Sequence, residues 1–379
     1  MTRSLVDRVR ARIIDEGAAP SSAGVAQALQ REGILLGDRE LVDLVRDVEQ
    51  DLHGAGPLEP LLRLPGVTDV VVNGPGEVWL DRGQGMERAD VRFDSEEEVR
   101  RLAQRLAAKA ARRLDDASPY VDARMADGTR LHAVLPPVGV DGTLLSLRVP
   151  GRGRMDVDEL AARGMLDEST AQLLTECVGA RVAMLITGGT GSGKTTMLSA
   201  LLACVPDHER IVIAEDSTEL APRHPHAVRL QSRLPNVEGA GAISVRDLVR
   251  QALRMRPDRL IVGEVRGPEI VDLLTAMNTG HEGGMSTLHA NSADDLPSRI
   301  EALGLMAGLD RHAVHALAAA AVEAVVHLGR ENGRRVLTGI HVPDRDGSGL
   351  VRMLPALVRE SGHLREAPAL EQLRRRCGR

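Results

Sequence analysis

The chain has 379 residues, enough for two or three domains and for cores that need no disulfide or metal staple. Apolar residues make up 43% and charged residues 27%, a globular composition that excludes a disordered chain or a fibre. With 48 basic against 54 acidic residues the net charge is −6, the wrong sign for a general polyanion binder, and one Trp, one Tyr and one Phe cannot build a base-stacking platform, so nucleic acid is not an expected partner.

Met1 to Glu16 alternates charge with Leu5, Val6, Val9, Ile13 and Ile14 and holds no apolar signal-peptide centre. Residues 1–53 read as a helical N-terminal extension, with Val25, Ala28 and Leu29, then Leu41, Val42, Leu44, Val45 and Val48, at helical spacing. From Gly54 the texture changes. Gly74-Pro75-Gly76 turns between the apolar run Val70 to Val72 and the alternating Val78, Trp79, Leu80, which predicts a hairpin. Ser95 and Glu98 form a capping-box pattern ahead of Val99, Leu102, Leu106, Ala110 and Leu114, an amphipathic helix. Asp127-Gly128 turns a second hairpin into Leu131 to Leu135, and Leu145, Leu147 and Val149 alternate in a further strand. Residues 54–150 are therefore expected to be a small α+β domain.

Pro150-Gly151-Arg152-Gly153-Arg154 has linker composition. Beyond it, residues 151–379 are expected to be an α/β domain with a C-terminal tail and short buried strands at Val182 to Thr187, Ile211 to Glu215, Leu260 to Glu264 and Met285 to His289. A helix over Val245 to Met255 should be capped by Ser244 and Asp247. The longest apolar stretch, Ala313 to Leu328, is interrupted by His315 and Glu323 and falls short of the ~20 residues that cross a bilayer, so membrane contact would go through a partner. Cys177, Cys204 and Cys377 are odd in number, widely spaced and free of Cys-x-x-Cys patterns, which suggests a reducing compartment with neither disulfide framework nor zinc ribbon.

The chemistry concentrates after the first strand of the second domain. Gly188-Gly189-Thr190-Gly191-Ser192-Gly193-Lys194-Thr195-Thr196 satisfies the P-loop pattern G-x-x-x-x-G-K-[ST] between a buried strand and a helix-competent segment. The glycines let backbone N–H groups converge on phosphates, Lys194 reaches the β- and γ-phosphates, and the Thr195 hydroxyl joins a Mg²⁺ shell. Only Lys109 and Lys194 are lysines, every other basic residue being arginine. A lysine kept in this loop points to a need for the compact ammonium. Phosphoryl transfer also needs carboxylates, and two predicted strands end in them: Glu264 on one, Glu215 and Asp216 on the other, where an open parallel sheet binds its ligands. His281 and His289 flank a glycine turn and a strand, and a γ-phosphate sensor or subunit contact suits them better than zinc, for which no cysteine accompanies them. Arginines could complete the site: Arg112, Arg113, Arg124, Arg130 and Arg148 cluster in the small domain, Arg246, Arg254, Arg256 and Arg266 in the second.

These segments, with Ile213-Ala214-Glu215-Asp216, Leu253 to Asp258, Gly263-Glu264-Val265-Arg266-Gly267 and Ser286 to Asn291, resemble the secretion and traffic ATPases. Within them the chain is most similar to the CpaF/TadA-type ATPases of tight-adherence (Flp) pilus assembly, relatives of the type II and type IV secretion ATPases. The resemblance extends upstream through Gly56 to Leu61, Val72-Asn73-Gly74, Ser118 to Arg124 and Asp127 to Arg130, and covers roughly residues 54–345. It implies a RecA-like second domain and a hexameric ring with nucleotide between the two domains. It also assigns Lys194 and Thr195 to Walker A, Glu215 and Asp216 to the Asp box, Glu264 to Walker B and His289 to the His box, with Arg124, Arg130 and Arg148 facing nucleotide. Glu264 is then the general-base or water-positioning candidate, Glu215 an alternate or metal-linked acid, Gly263 standing where many P-loop enzymes carry aspartate. The expectation is a cytoplasmic, Mg-dependent, homohexameric ATPase working on an inner-membrane platform protein. The rivals are a conjugation-type traffic ATPase or DNA-linked motor with the same core, and an ATP-binding switch with little turnover.

Overall fold

The computed structural model describes residues 22–31, 54–83, 85–150, 155–233, 235 and 240–378, with Val9 and Arg12. The chain divides into two compact units, Met1–Gly151 and Arg152–Arg379. In the first, α1 (Ser22–Arg31) buries Val25, Ala28 and Leu29, as their spacing predicts. The rest of the expected helical extension, including Leu41 to Val48, lies outside the described residues, as does most of the linker at 151–154.

After a short helical turn at Gly56–Leu58 and α2 (Glu59–Leu62) come β1 (Asp69–Gly74), β2 (Glu77–Asp81), β3 (Met86–Arg88), α3 (Glu96–Lys109), β4 (Tyr120–Arg124), β5 (Arg130–Val134) and β6 (Leu144–Arg148). The six strands form one antiparallel sheet in the order β3-β2-β1-β6-β5-β4. Their period of two sends Val70, Val72, Leu131, Leu145 and Leu147 into the core with Val99, Leu102 and Leu106 of α3. Ser95 caps α3 through the Glu98 N–H, at 3.3 Å, but the Glu98 carboxylate takes the N–H of Asp94 rather than that of Ser95, so the box is half closed. The helix also ends at Lys109, before Leu114, which enters the same core from the loop.

The second unit contains α4 (Val157–Ala162), α5 (Glu168–Gly179), β7 (Met184–Gly188), α6 (Lys194–Leu202), β8 (Ile211–Glu215), β9 (Ala227–Gln231), α7 (Val245–Ala252), β10 (Arg259–Val265), α8 (Glu269–Asn278), β11 (Met285–His289), α9 (Leu296–Met306), α10 (Arg311–Ala321), β12 (Ala324–Glu331), β13 (Arg334–Arg345), β14 (Val351–Glu360), β15 (His363–Glu366) and α11 (Leu370–Cys377). Its sheet runs β15-β14-β13-β12-β7-β11-β10-β8-β9, parallel from β12 to β9 and antiparallel from β12 to β15. The four apolar runs of the sequence are β7, β8, β10 and β11, buried on both faces as parallel strands are. Met184 and Ile186 pack with α5 and α6 on one face, while Ala183 and Leu185 pack with α7 to α10 on the other.

One expected boundary moves and two further local features emerge here. The apolar stretch Ala313 to Leu328 is two elements, α10 and β12, broken at Val322, which leaves helical backbone at φ −94°, ψ 128°. The α7 helix forms the full Ser244/Asp247 box but ends at Ala252, short of Met255. Cys177 and Cys377, widely spaced in sequence, lie with their sulfurs 3.0 Å apart as free thiols between α5 and α11. Among the described residues no helix is long and apolar enough to cross a membrane.

One buried ion pair closes the end of the sheet where β10 starts. Arg259 has no exposed surface, donates from Nε to Glu209 Oε2 at 2.6 Å and reaches the Val178 carbonyl at 2.8 Å, while Arg181 adds a bond to Glu209 Oε1 at 3.0 Å. Gly283, at φ +72°, leaves the space the Arg259 guanidinium fills; a Cβ there would collide with it.

Candidate active site

The loop between β7 and α6 owes its shape to glycine. Gly188, Gly191 and Gly193 sit at φ 148°, 69° and 98°, where a side chain strains the backbone, and a Cβ on Gly188 would strike the Leu328 carbonyl and come within 2.7 Å of Ser192 Oγ. Ser192 closes the turn by donating to the Gly189 carbonyl at 2.9 Å, Thr190 is exposed at its tip, and Thr196 is half-buried in the first turn of α6. No side chain caps α6, so its first N–H groups and the positive end of its dipole face the loop interior.

Lys194 is 7% exposed and donates from Nζ to the carbonyls of Gly188, at 2.9 Å, and Gly189, at 2.8 Å. The parallel register brings His289, the last residue of β11, beside Gly188, and Glu264 of β10 beside Thr287. His289 Nε2 consequently stands 3.4 Å from Lys194 Nζ and 3.2 Å from Glu264 Oε1. Glu264 Oε2 in turn accepts from Arg266 Nη2 at 2.5 Å and Nε at 2.9 Å. The four residues form a row of alternating character. Burial lowers the pKa of Lys194, Glu264 raises it in part and Arg266 lowers it again. Burial and then the Lys194 charge depress the pKa of His289 below its ordinary value, which favours the neutral imidazole, while the bond to Glu264 raises Arg266.

Glu215, at the end of β8, is 3% exposed and accepts at Oε1 from the N–H groups of Glu219, at 2.9 Å, and Leu220, at 3.0 Å. Its side chain lies over Gly263, where an added Cβ would come within 2.6 Å of Glu215 Cγ. The absent side chain on β10 is thus the room that a carboxylate from β8 occupies. Gly263→Ala should displace Glu215 and lower ATP turnover at least about tenfold, with a loss of about 1–3 kcal/mol of stability from the overpacking. A steady-state phosphate-release assay beside a thermal melt checks both. Asp216 points elsewhere, accepting from Ser232 Oγ at 2.6 Å.

The Thr195 hydroxyl lies 3.5 Å from Glu219 Oε2. Oxygen donors of this kind suit magnesium, which takes one or two protein ligands and completes its shell with phosphate and water. Thr195, with Glu215 and Glu219 nearby, fits that pattern, and among the described residues no cluster of three His, Cys, Asp or Glu suggests a protein-only metal cage. Sequence reasoning passed over Glu219, four residues beyond Glu215, and named Arg266 only as one of several arginines that could complete the site. The two-residue step from Glu264 was the available signal for Arg266.

Arg124, Arg130 and Arg148 belong to the first unit, where the register sets them side by side across β4, β5 and β6; Asp69 pairs with Arg148 at 3.0 Å. The sequence-derived site thus falls into two groups: Lys194, His289, Glu264, Thr195 and Glu215 at the strand ends of the second unit, and an arginine row in the first.

A parallel sheet with a P-loop at the end of β7 and acids at the ends of β10 and β8 defines a P-loop NTPase. A type II/IV secretion system protein family profile matches residues 51–349, and the chain belongs to this family of secretion ATPases. It is similar to a Mycobacterium tuberculosis (strain H37Rv) protein provisionally named as a conjugal transfer protein, 52% identical over 348 residues, covering 90% of this chain and 99% of that one. Conjugal transfer protein TrbB of Rhizobium radiobacter is 31% identical over 285 residues, 73% of this chain and 84% of TrbB. Among solved structures, the pilus retraction motor PilT with bound ADP superposes with a TM-score of 0.51 at 20% identity, over 81% of this chain and 82% of that one, a likeness of fold. The two relatives' names do not carry the tight-adherence assignment; they are conjugation names.

Proposed function

We propose that this chain is the ATP-hydrolysing motor of a conjugation-class type IV secretion machine, acting as a homohexamer at the inner face of the cell membrane through a platform protein. The observation that carries the reading is the row Lys194–His289–Glu264–Arg266 beside a glycine loop with an open helix N-terminus. The relatives' names turn it toward conjugation.

In this reading the loop amides and Lys194 bind the β- and γ-phosphates, offsetting charge that grows in the transition state. Glu264, held on one oxygen by Arg266, orients the attacking water and takes up its proton. His289, set between Lys194 and Glu264, responds to the γ-phosphate because either neighbour can exchange its contact for one with the ligand. Magnesium, held by Thr195 and an acid from the loop after β8, would supply a Lewis acid to the phosphate oxygens. The resemblance supports a nucleotide-facing role for Arg124, Arg130 and Arg148 as well. Closure on ATP and relaxation after hydrolysis then become a ligand-biased equilibrium that does mechanical work. The motif runs that resemble the tight-adherence ATPases support a second reading with the same chemistry and a pilus as cargo.

The test is ATP turnover by the purified full chain, with native mass and with plasmid DNA added across a salt series. Sustained phosphate release from a hexamer is expected, reduced about 10²–10³-fold in Lys194→Ala. Stimulation by DNA that fades with salt favours conjugation over pilus assembly. A well-folded wild-type chain that binds ATP but releases no phosphate would overturn the motor in favour of a switch.

A further inference from the structure

Two arginines outside the acid–histidine row reach the P-loop from the C-terminal hairpin. β12 and β13 are joined by Asn332-Gly333, both at positive φ (49° and 78°), the two-residue turn whose twist matches that of the strands. The register that follows sets Arg330 opposite Arg335. Like charges facing each other across an antiparallel pair repel, and among the described residues no carboxylate pairs with Arg330. Both guanidiniums converge instead on one atom: Arg330 Nη2 donates to the Gly191 carbonyl at 3.1 Å and Arg335 Nε donates to the same oxygen at 3.0 Å.

Gly191 lies in the left-handed region, and a Cβ there would come within 3.0 Å of Arg330 Nη2, so glycine is what lets the arginine approach. The captured carbonyl belongs to the Gly191–Ser192 peptide. In a trans peptide C=O and N–H point oppositely, so an oxygen held by the hairpin commits the Ser192 N–H to the other side. That N–H makes only a long 3.4 Å contact with the Gly189 carbonyl across the loop, one readily exchanged for a phosphate oxygen.

We propose that Arg330 and Arg335 are positioning residues that clamp the Gly191 peptide and hold the Ser192 N–H toward the phosphates of a nucleoside di- or triphosphate before that ligand arrives. The inference rests on the nucleotide-binding reading of the P-loop given above and adds to it a part of the chain far away in sequence. Preorganising the loop lowers the ordering cost of binding, so its loss shows in affinity rather than in the chemical step.

The experiment uses the full chain with Arg330→Ala, Arg335→Ala, both together, and both changed to Lys. Dissociation constants for a fluorescent ADP analogue are measured beside KM, kcat and the ligand-free melting temperature. The double alanine variant should bind ADP about tenfold more weakly and raise KM for ATP by a similar factor. Its kcat at saturation should stay within about twofold and its melting temperature near wild type, since both side chains are exposed. The double lysine variant should recover less than half of the loss, because an ammonium does not reproduce the planar fork. Wild-type ADP affinity in the double alanine variant, or full recovery with lysine, would overturn the clamp. If the double variant does not fold, Arg330→Ala alone decides, with about threefold weaker binding expected and unchanged binding overturning the proposal. Binding that is lost in Lys194→Ala yet unaltered in the arginine variants sinks the clamp alone, whereas a wild-type chain that takes up no ADP sinks the reading beneath it.

Discussion

Glu264→Gln should reduce ATP turnover by about 10²–10³-fold while nucleotide affinity stays within a few-fold of wild type. The amide keeps the shape of the side chain and loses the charge and basicity. One carboxylate oxygen of Glu264 lies 3.2 Å from His289 Nε2 without a hydrogen bond, which leaves it for a water, and the other is bound by Arg266. Loss of a group that acts on water lowers kcat and leaves the phosphate cradle intact, which is the signature to look for in kcat against KM and in ADP binding. Turnover within about tenfold of wild type would place the water-orienting role elsewhere, with Glu215 the next acid to test.

Arg259→Leu should destabilise the second unit by about 3–5 kcal/mol, because it leaves the Glu209 carboxylate buried with only Arg181 to answer it. A loss of that size lowers the melting temperature by about 10 °C for a unit of this length. The double variant Arg259→Leu with Glu209→Leu should recover much of the loss, since removing both charges removes the desolvation cost as well. A single variant that melts like the wild type would show that the pair contributes no net stability. The pH dependence follows from the same geometry. Burial alone would raise the pKa of Glu209, but the hydrogen bond and charge of Arg259, followed by those of Arg181, outweigh it and hold the carboxyl below its ordinary value of 4.5. A carboxyl depressed by folding contributes its stability fully above the unfolded value and loses it as pH falls toward the folded one. Wild-type stability should therefore decline below about pH 4.5, and the double leucine variant should decline less steeply over that window.

The parallel strands β7, β8, β10 and β11 were legible because strands buried on both faces read as unbroken apolar runs, and the P-loop because its glycines and lysine are contiguous. Ser244 and Asp247 announced α7 through a three-residue box. The antiparallel extension was not legible: β13 opens on Arg334 and Arg335 and closes on Asp344 and Arg345, a charge content that reads as surface loop. The junction of α10 and β12 was hidden for the opposite reason, since an alanine-rich helix runs into a valine strand without Gly or Pro to mark the change. In the site, Lys194, Glu264 and His289 were found one by one from motifs, but their order in space comes from the register of β7, β10 and β11. Arg330, 139 residues from Gly191, and Cys377, 200 residues from Cys177, meet their partners through topology that no local pattern encodes.

The placement of Glu215 over Gly263 makes these two positions a lock and its keyhole on adjacent strands. The acid arrives at the rim of the sheet from β8, so β10 must stay bare at that point, and a side chain at position 263 finds room only if Glu215 gives way. Grafting the aspartate of other P-loop enzymes onto position 263 would crowd two carboxylates into one seat, and a viable exchange requires both residues to change together.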